Sequence, residues 1–349
     1  MNSPFQERRK RLLDQLVEHK LPGLAVSHLP NIRYLCGFTG SNGLLVVTHS
    51  KTVLYTDPRY TLQADQETDC TVRIVRGSLW EAVPGIRGLG FESDKLTHAA
   101  WAAASKLMPL KPVAGLIERL RMVKSESEIQ EIQDSVQVAA KAYARSLKSF
   151  RIGITEKDLA AEIDHQMRKA GAEGPSFETI VASGARSALP HAKPTDQPIR
   201  TNQILLIDMG ASLDGYASDM TRVVHIGPPG RKVRSLYNAV LESQLAAVDA
   251  IRPGVRASQV DAVARKVLKG HGLDKAFQHS TGHGLGLEIH ENPRLGKKDE
   301  TPLETGMVVT VEPGAYLEGF GGVRIEDTVL VTKTGVEVLT PTAKELLAL

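Results

Sequence analysis

Two cysteines in 349 residues, Cys36 and Cys70, are too few for a disulfide framework. Their scarcity suits a reducing cytoplasm in which both are ordinary buried thiols. Charge of one sign is scarce as well: Lys plus Arg total 43 against 40 for Asp plus Glu, a formal net charge of +3. The densest charge run, "ERRKR" at Glu7 to Arg11, reads as a solvated helix face, because little basic charge elsewhere would support a nucleic-acid footprint. Long apolar runs are missing too. No segment reaches the roughly 18 unbroken apolar residues of a membrane span, and "MNSPFQERRKRLLDQLVEHK" has neither an apolar core nor a small-residue cleavage site. The expectation is a cytoplasmic protein with no nucleic-acid and no membrane partner. Its length exceeds that of one ordinary hydrophobic core, which predicts two domains.

From Gly23 to Val75 short apolar runs alternate with turn residues. "GLAVSH", "IRYLCGF", "GLLVVTH", "TVLYTD" and "TVRIV" read as strands of a small mixed α/β domain, and "HAAWAAASKLM" as a helix that follows them. The texture then changes. In "LIERLRMVKSESEIQEIQDSVQVAAKAYARSLKSF", Ser125 followed by Glu128 offers a capping box ahead of a long amphipathic helix. This places the boundary near Met122, with domains over residues 1–122 and 123–349.

The second part repeats itself. "GITEKDLAAEIDHQMRKAG" from Gly153 and "GVRASQVDAVARKVLKGHG" from Gly254 each give a glycine start, a helix and a glycine stop, and Gly171 and Gly272 keep the spacing of the starts. Each copy is followed by a strand ending in an acid, a glycine-bearing turn and a second strand with another acid. In "QILLIDMGASLDGYASDMTRVVHIG" a hairpin turning over Ser212 to Gly215 would set Asp208 opposite Asp219. In "GMVVTVEPGAYLEGFGGVRIEDTVLVT" Glu312 and Glu326 are symmetric about Gly319. Facing carboxylates are expensive to bury unless positive charge sits between them, and a metal pair is the economical answer.

"HSTGHGLGLEIHE", His279 to Glu291, supplies histidines but not a helical H-x-x-x-H site, because Gly282, Gly284 and Gly286 disfavour a helix there. Nor is "GHGLG" a dinucleotide loop, since the third fingerprint glycine and the following helix are absent. An extended segment passing close to a ligand fits better.

"IDMGASLDGYASDMTR", "HSTGHGLGLEIHENP", "TVEPGAY" and "GGVRIEDTVLVT" resemble the successive signatures of the M24 (pita-bread) metallopeptidases, in the Xaa-Pro branch that contains prolidase and aminopeptidase P. The resemblance runs from about Met122 to the end. It implies an α+β pita-bread catalytic domain with an internal pseudo-twofold repeat, preceded by a smaller creatinase-type N-terminal domain. Carried over residue by residue, it makes Asp208, Asp219, His283, Glu312 and Glu326 the metal ligands, with Asp219 and Glu326 bridging two ions, Asp208 completing one and His283 with Glu312 the other. Four carboxylates and one imidazole favour Mn²⁺ or Co²⁺, with Zn²⁺ or Fe²⁺ as alternatives. The implied reaction is hydrolysis of Xaa-Pro bonds by a metal-bridging hydroxide, with Glu312 shuttling the proton to the leaving nitrogen.

By the same resemblance His191 and His290 donate to the substrate carbonyl and the developing oxyanion, and His279 lines the pocket. Arg324, two residues before Glu326 on the same strand face, should pin a metal-bound carboxylate. Arg294 sits where prolidases place a base able to hold a dipeptide's free carboxylate, which favours dipeptides over the longer substrates of aminopeptidase P. A homodimer is expected. Methionine aminopeptidase and a non-catalytic binding module of the same fold are the lesser alternatives; the second would tend to lose ligands, and none of the five is missing.

Overall fold

The protein is described by a computed structural model covering residues 3–349; Met1 and Asn2, at the start of the segment inspected for an export signal, lie outside it. The described residues divide into two compact units, with the break between Arg121 and Met122.

The first unit is built on a six-stranded mixed sheet in the order Thr71–Ile74, Thr52–Thr56, Gly43–Thr48, Gly23–Val26, Leu89–Glu92 and Leu110–Val113. Four of the five runs read as strands contribute to it. The fifth, "IRYLCGF", falls instead largely in the helix Leu29–Cys36. Pro30 opens that helix, Gly37 closes it with φ +84°, and Asn31, Ile32, Tyr34, Leu35 and Cys36 are all buried. A short apolar run carries no period that separates a strand from a fully buried helix, and here packing decided. Arg9 departs from the solvated-face reading in the same unit. It is buried, and its guanidinium donates to Leu35 O at 2.9 Å and to Asp69 Oδ1 at 2.6 Å. Cys36 and Cys70 are free thiols.

In the second unit the capping box forms as the sequence requires: Ser125 Oγ accepts from Glu128 N and the Glu128 carboxylate accepts from Ser125 N, ahead of the helix Glu126–Ser149. The repeat is visible in the backbone. Helices Glu156–Lys169 and Ala257–Gly270 keep the spacing of their flanking glycines, and Gly153, Gly171, Gly254 and Gly272 all adopt positive φ. Each half has its own hydrophobic core, and the strand Gln203–Met209 serves both. Ile204 and Leu206 face the core under the helices Arg231–Asp249 and Ala257–Gly270, while Leu205, Ile207 and Met209 face the one under Glu126–Ser149 and Glu156–Lys169. That double burial is why the strand reads as an unbroken apolar run rather than an alternation. Among the described residues no helix is long and apolar enough to cross a membrane.

Candidate metal centre

The first hairpin joins Gln203–Met209 to Met220–Ile226, and its inner rungs pair Ser212 with Ala217 and Leu213 with Tyr216. The turn is therefore the two-residue Asp214-Gly215, both at positive φ, the backbone of a type I′ turn. This differs slightly from the expected register: Asp208 faces Thr221 across the ladder, and Asp219, just before the second strand, sits diagonal to it. A shift of two positions preserves the face, so both carboxylates still point the same way. The second hairpin matches its expectation. Gly314 pairs with Arg324 on one side and Val311 with Asp327 on the other, a single register in which Glu312 falls opposite Glu326 about Gly319. His283 lies on the short strand Gly282–Gly284, beside Val308–Val311. That strand can lie so close because it has glycines: a Cβ on Gly282 would stand 1.9 Å from Thr310 O.

Donor atoms of Asp219, His283 and Glu326 lie within 4.8 Å of one another, and all three residues are buried. His283 Nε2 is 3.6 Å from Asp219 Oδ2 and 3.5 Å from Glu312 Oε1. Arg324 borders the group, its Nη2 2.5 Å from Asp208 Oδ2 and its Nε 4.0 Å from Glu312 Oε2. All five expected metal-binding residues are thus gathered around Arg324 and His283.

So many carboxylates in a dry place disturb one another. Burial first, then the charges of Glu326, Asp208 and Glu312, push the Asp219 carboxyl well above the ordinary range. Burial followed by Glu312 and Asp208 does the same to Glu326. Glu312 is pushed up to about 7 by burial, against the pull of Arg324. His283 is pushed down to about 4 by burial, with His290 and Arg294 adding to it, so its imidazole is neutral at neutral pH. Its Nδ1 lies 2.9 Å from Gly284 O, a contact that favours the tautomer with a free Nε2 lone pair. Two carboxylate oxygens, Asp208 Oδ1 and Glu326 Oε1, are buried without a hydrogen-bond partner. Unsatisfied oxygens among mutually repelling carboxylates, with a neutral imidazole beside them, are the donor set a divalent cation requires.

The residues expected around the centre are distributed as follows. His279 is half-buried, with Nε2 2.8 Å from Tyr316 Oη, and burial followed by the Arg324 charge lowers its pKa to about 4. His290 is exposed overall, but its ring stands 4.5 Å from that of His283, and the partial desolvation there, followed by the Arg294 charge, lowers its pKa. His191 is exposed on a loop, near enough that its charged form would disfavour those of His279 and His290. Arg294 is exposed, its Nε donating to Ser280 Oγ at 3.1 Å.

Two residues escaped the sequence reading. Thr221 Oγ1 donates to Glu326 Oε2 at 2.7 Å and accepts from Arg324 Nε at 3.0 Å. Tyr316 Oη joins His279 to Arg324, whose Nη1 donates to it at 2.8 Å. A strand period of two puts Tyr316 on the face of Glu312, but only the facing Gly314–Arg324 pair shows why it turns inward: a Cβ on Gly314 would stand 2.5 Å from the phenol oxygen.

The model of metallopeptidase family M24 matches residues 130–333, and that of the creatinase/prolidase N-terminal domain matches residues 8–123. The chain is 36% identical to the Xaa-Pro dipeptidase of Pyrococcus horikoshii over 98% of its own length and 99% of that protein. Among solved structures it resembles an Xaa-Pro dipeptidase from Bacillus anthracis, with TM-score 0.96, 39% identity and coverage of 99% and 100% of the two chains. It also resembles an X-Pro aminopeptidase from Thermotoga maritima, with TM-score 0.91, 35% identity and coverage of 98% and 99%.

Proposed function

The chain belongs to metallopeptidase family M24, and on that premise we propose that it is a metal-dependent hydrolase of the peptide bond preceding proline in Xaa-Pro dipeptides. The observation that carries the reading is the buried group of four carboxylates and His283, with Asp208 Oδ1 and Glu326 Oε1 left without hydrogen-bond partners. Two divalent ions suit this set. Asp219 and Glu326 would be shared between them, Asp208 would complete one position, and His283 with Glu312 the other. The excess of oxygen donors favours Mn²⁺ or Co²⁺. When bound, such ions supply Lewis acidity and a water acidic enough to react near neutral pH.

The chain's own groups handle the proton and the substrate. Glu312, its carboxylate 3.5 Å from His283 Nε2 and 4.0 Å from Arg324 Nε, would accept a proton from the attacking water and deliver it to the proline nitrogen. His191 and His290 would donate to the substrate carbonyl and the developing oxyanion; a neutral imidazole keeps one N–H for that purpose. His279 would line the pocket, and Arg324, through its contact with Asp208, would fix that carboxylate against a bound ion. The scarce thiols agree with a cytoplasmic setting, and a homodimer is the expected assembly.

Preference for dipeptides rests on Arg294, whose guanidinium is exposed yet oriented by Ser280. A free proline carboxylate exists only when proline is the last residue, and a charge-assisted bidentate contact is worth about ten- to a hundredfold in kcat/KM. Arg294→Ala should therefore penalise Ala-Pro far more than Ala-Pro-Ala. The likeness to an X-Pro aminopeptidase keeps the second reading in play: a preference for the tripeptide that the substitution leaves unchanged would assign the chain to longer peptides.

A further inference from the structure

Between the short helical turn Gly184–Ala188 and the strand Gln203–Met209 the chain has no regular secondary structure, and this is the loop that carries His191. Its base closes on one side chain. Glu156, at the first position of the helix Glu156–Lys169, is fully buried at 0% exposure. Its Oε1 accepts from Ser183 N at 2.8 Å and Ser183 Oγ at 2.9 Å. Its Oε2 accepts from Arg186 Nε at 3.1 Å, Thr195 N at 3.1 Å and Thr195 Oγ1 at 2.8 Å. Oε1 holds Ser183 ahead of the helical turn, and Oε2 holds Arg186 within it and Thr195 four residues beyond His191.

The rest of the loop is braced from that base. Arg186 Nη2 crosses its interior to Lys193 O at 2.6 Å. Ser187 Oγ accepts from Gly322 N at 2.9 Å, and Pro190 O, one residue before His191, accepts from Arg324 Nη1 at 3.2 Å. Five donors converging on a single carboxylate cannot be served by an amide, which would turn an NH₂ toward one of the two sets. The other half of the unit has a counterpart. Asp261, on the repeat-related helix, accepts from Thr281 Oγ1 at 2.8 Å and pairs with Arg265, which donates to His279 O at 2.5 Å. Each repeat helix sends one buried acid to a histidine-bearing segment.

We infer that Glu156 is a positioning residue for His191: it ties the chain on both sides of His191 to the helix and so sets where the imidazole meets the substrate. The inference rests on the role given to His191 above. It is tested by measuring kcat, KM and bound metal on Ala-Pro for Glu156→Gln, His191→Ala and the double variant, together with tryptic cleavage after Arg186. Misplacing a reacting group by about 1 Å costs up to about a hundredfold. Glu156→Gln should accordingly lower kcat by about ten- to a hundredfold at unchanged metal content. It should add little to His191→Ala, and should open the Arg186–Ser187 bond to trypsin. Thr195→Val, which removes one of the five hydrogen bonds and leaves the carboxylate charged, gives a weaker form of the same pattern and serves if Glu156→Gln fails to fold. Equal losses of kcat with and without His191, or unchanged resistance to trypsin, overturn the inference. Full turnover by His191→Ala alone would instead remove the role assigned to His191, and with it the catalytic part of the inference, while the trypsin result still decides the anchoring.

Discussion

Thr221 Oγ1 touches both Glu326 and Arg324, so one hydroxyl orients a carboxylate of the proposed metal set and the guanidinium that holds Asp208. Partners of this kind usually change metal affinity or activity by about ten- to a hundredfold. Thr221→Val keeps the shape and deletes both contacts, so bound metal or kcat should fall by about that factor without loss of fold. Metal content and turnover that match the unsubstituted protein would show that Glu326 needs no such support. Asp219→Ala and Glu326→Ala are the harsher cases, because each removes a residue proposed to be shared by two ions. Elemental analysis of either variant should find the pair of ions gone; two ions retained with near-normal turnover would reject the shared role.

Strands and turns set the tolerances of this centre more tightly than side chains do. Gly282 lies against the Thr310 carbonyl with no space for a methyl group, whereas nothing stands within 4 Å of a Cβ on Gly335, in the turn Thr332–Gly335. Overpacking typically costs about 1–3 kcal/mol, and substitution at an open surface site stays within about ±0.5 kcal/mol. Urea denaturation should place Gly282→Ala in the first class and Gly335→Ala in the second, and equal midpoints would mean that the strand simply moves aside. Much of this geometry was legible in residue order. The four acids, the Ser125–Glu128 cap and the glycines bounding the repeat helices announced themselves because each depends on local spacing, whereas His283 came from the likeness of its segment to the M24 signatures. What could not be read depends on partners far along the chain. The Asp208 register shifted by two because an Asp-Gly pair at positive φ moved the turn, the segment around Tyr34 became helix because packing buried it on nearly every side, and Tyr316 found its role only through Gly314, two residues before it, and the Arg324 that faces that glycine.

At the scale of the whole catalytic unit, the proposed metal set draws Asp208 and Asp219 from one half and His283, Glu312 and Glu326 from the other. Ions held there would join segments distant in the chain, and so would bind only when both halves are folded. A ligand at a hundred times its dissociation constant adds about 2.7 kcal/mol to stability. Chelation should therefore abolish hydrolysis of Xaa-Pro dipeptides and lower the melting temperature, and Mn²⁺ or Co²⁺ should restore both. Persistent hydrolysis by protein shown to be metal-free would end the mechanism. The strand shared by the two cores has a consequence for synthesis. When the ribosome has made the chain only as far as Gly230, Leu205, Ile207 and Met209 already have their partners, but Ile204, Leu206 and Val223 lie bare until the residues up to Val331 have emerged. At about 5–20 residues per second that face stays open for roughly ten seconds, long enough for the nascent chain to be a client for chaperones rather than a finished half-domain waiting for its twin.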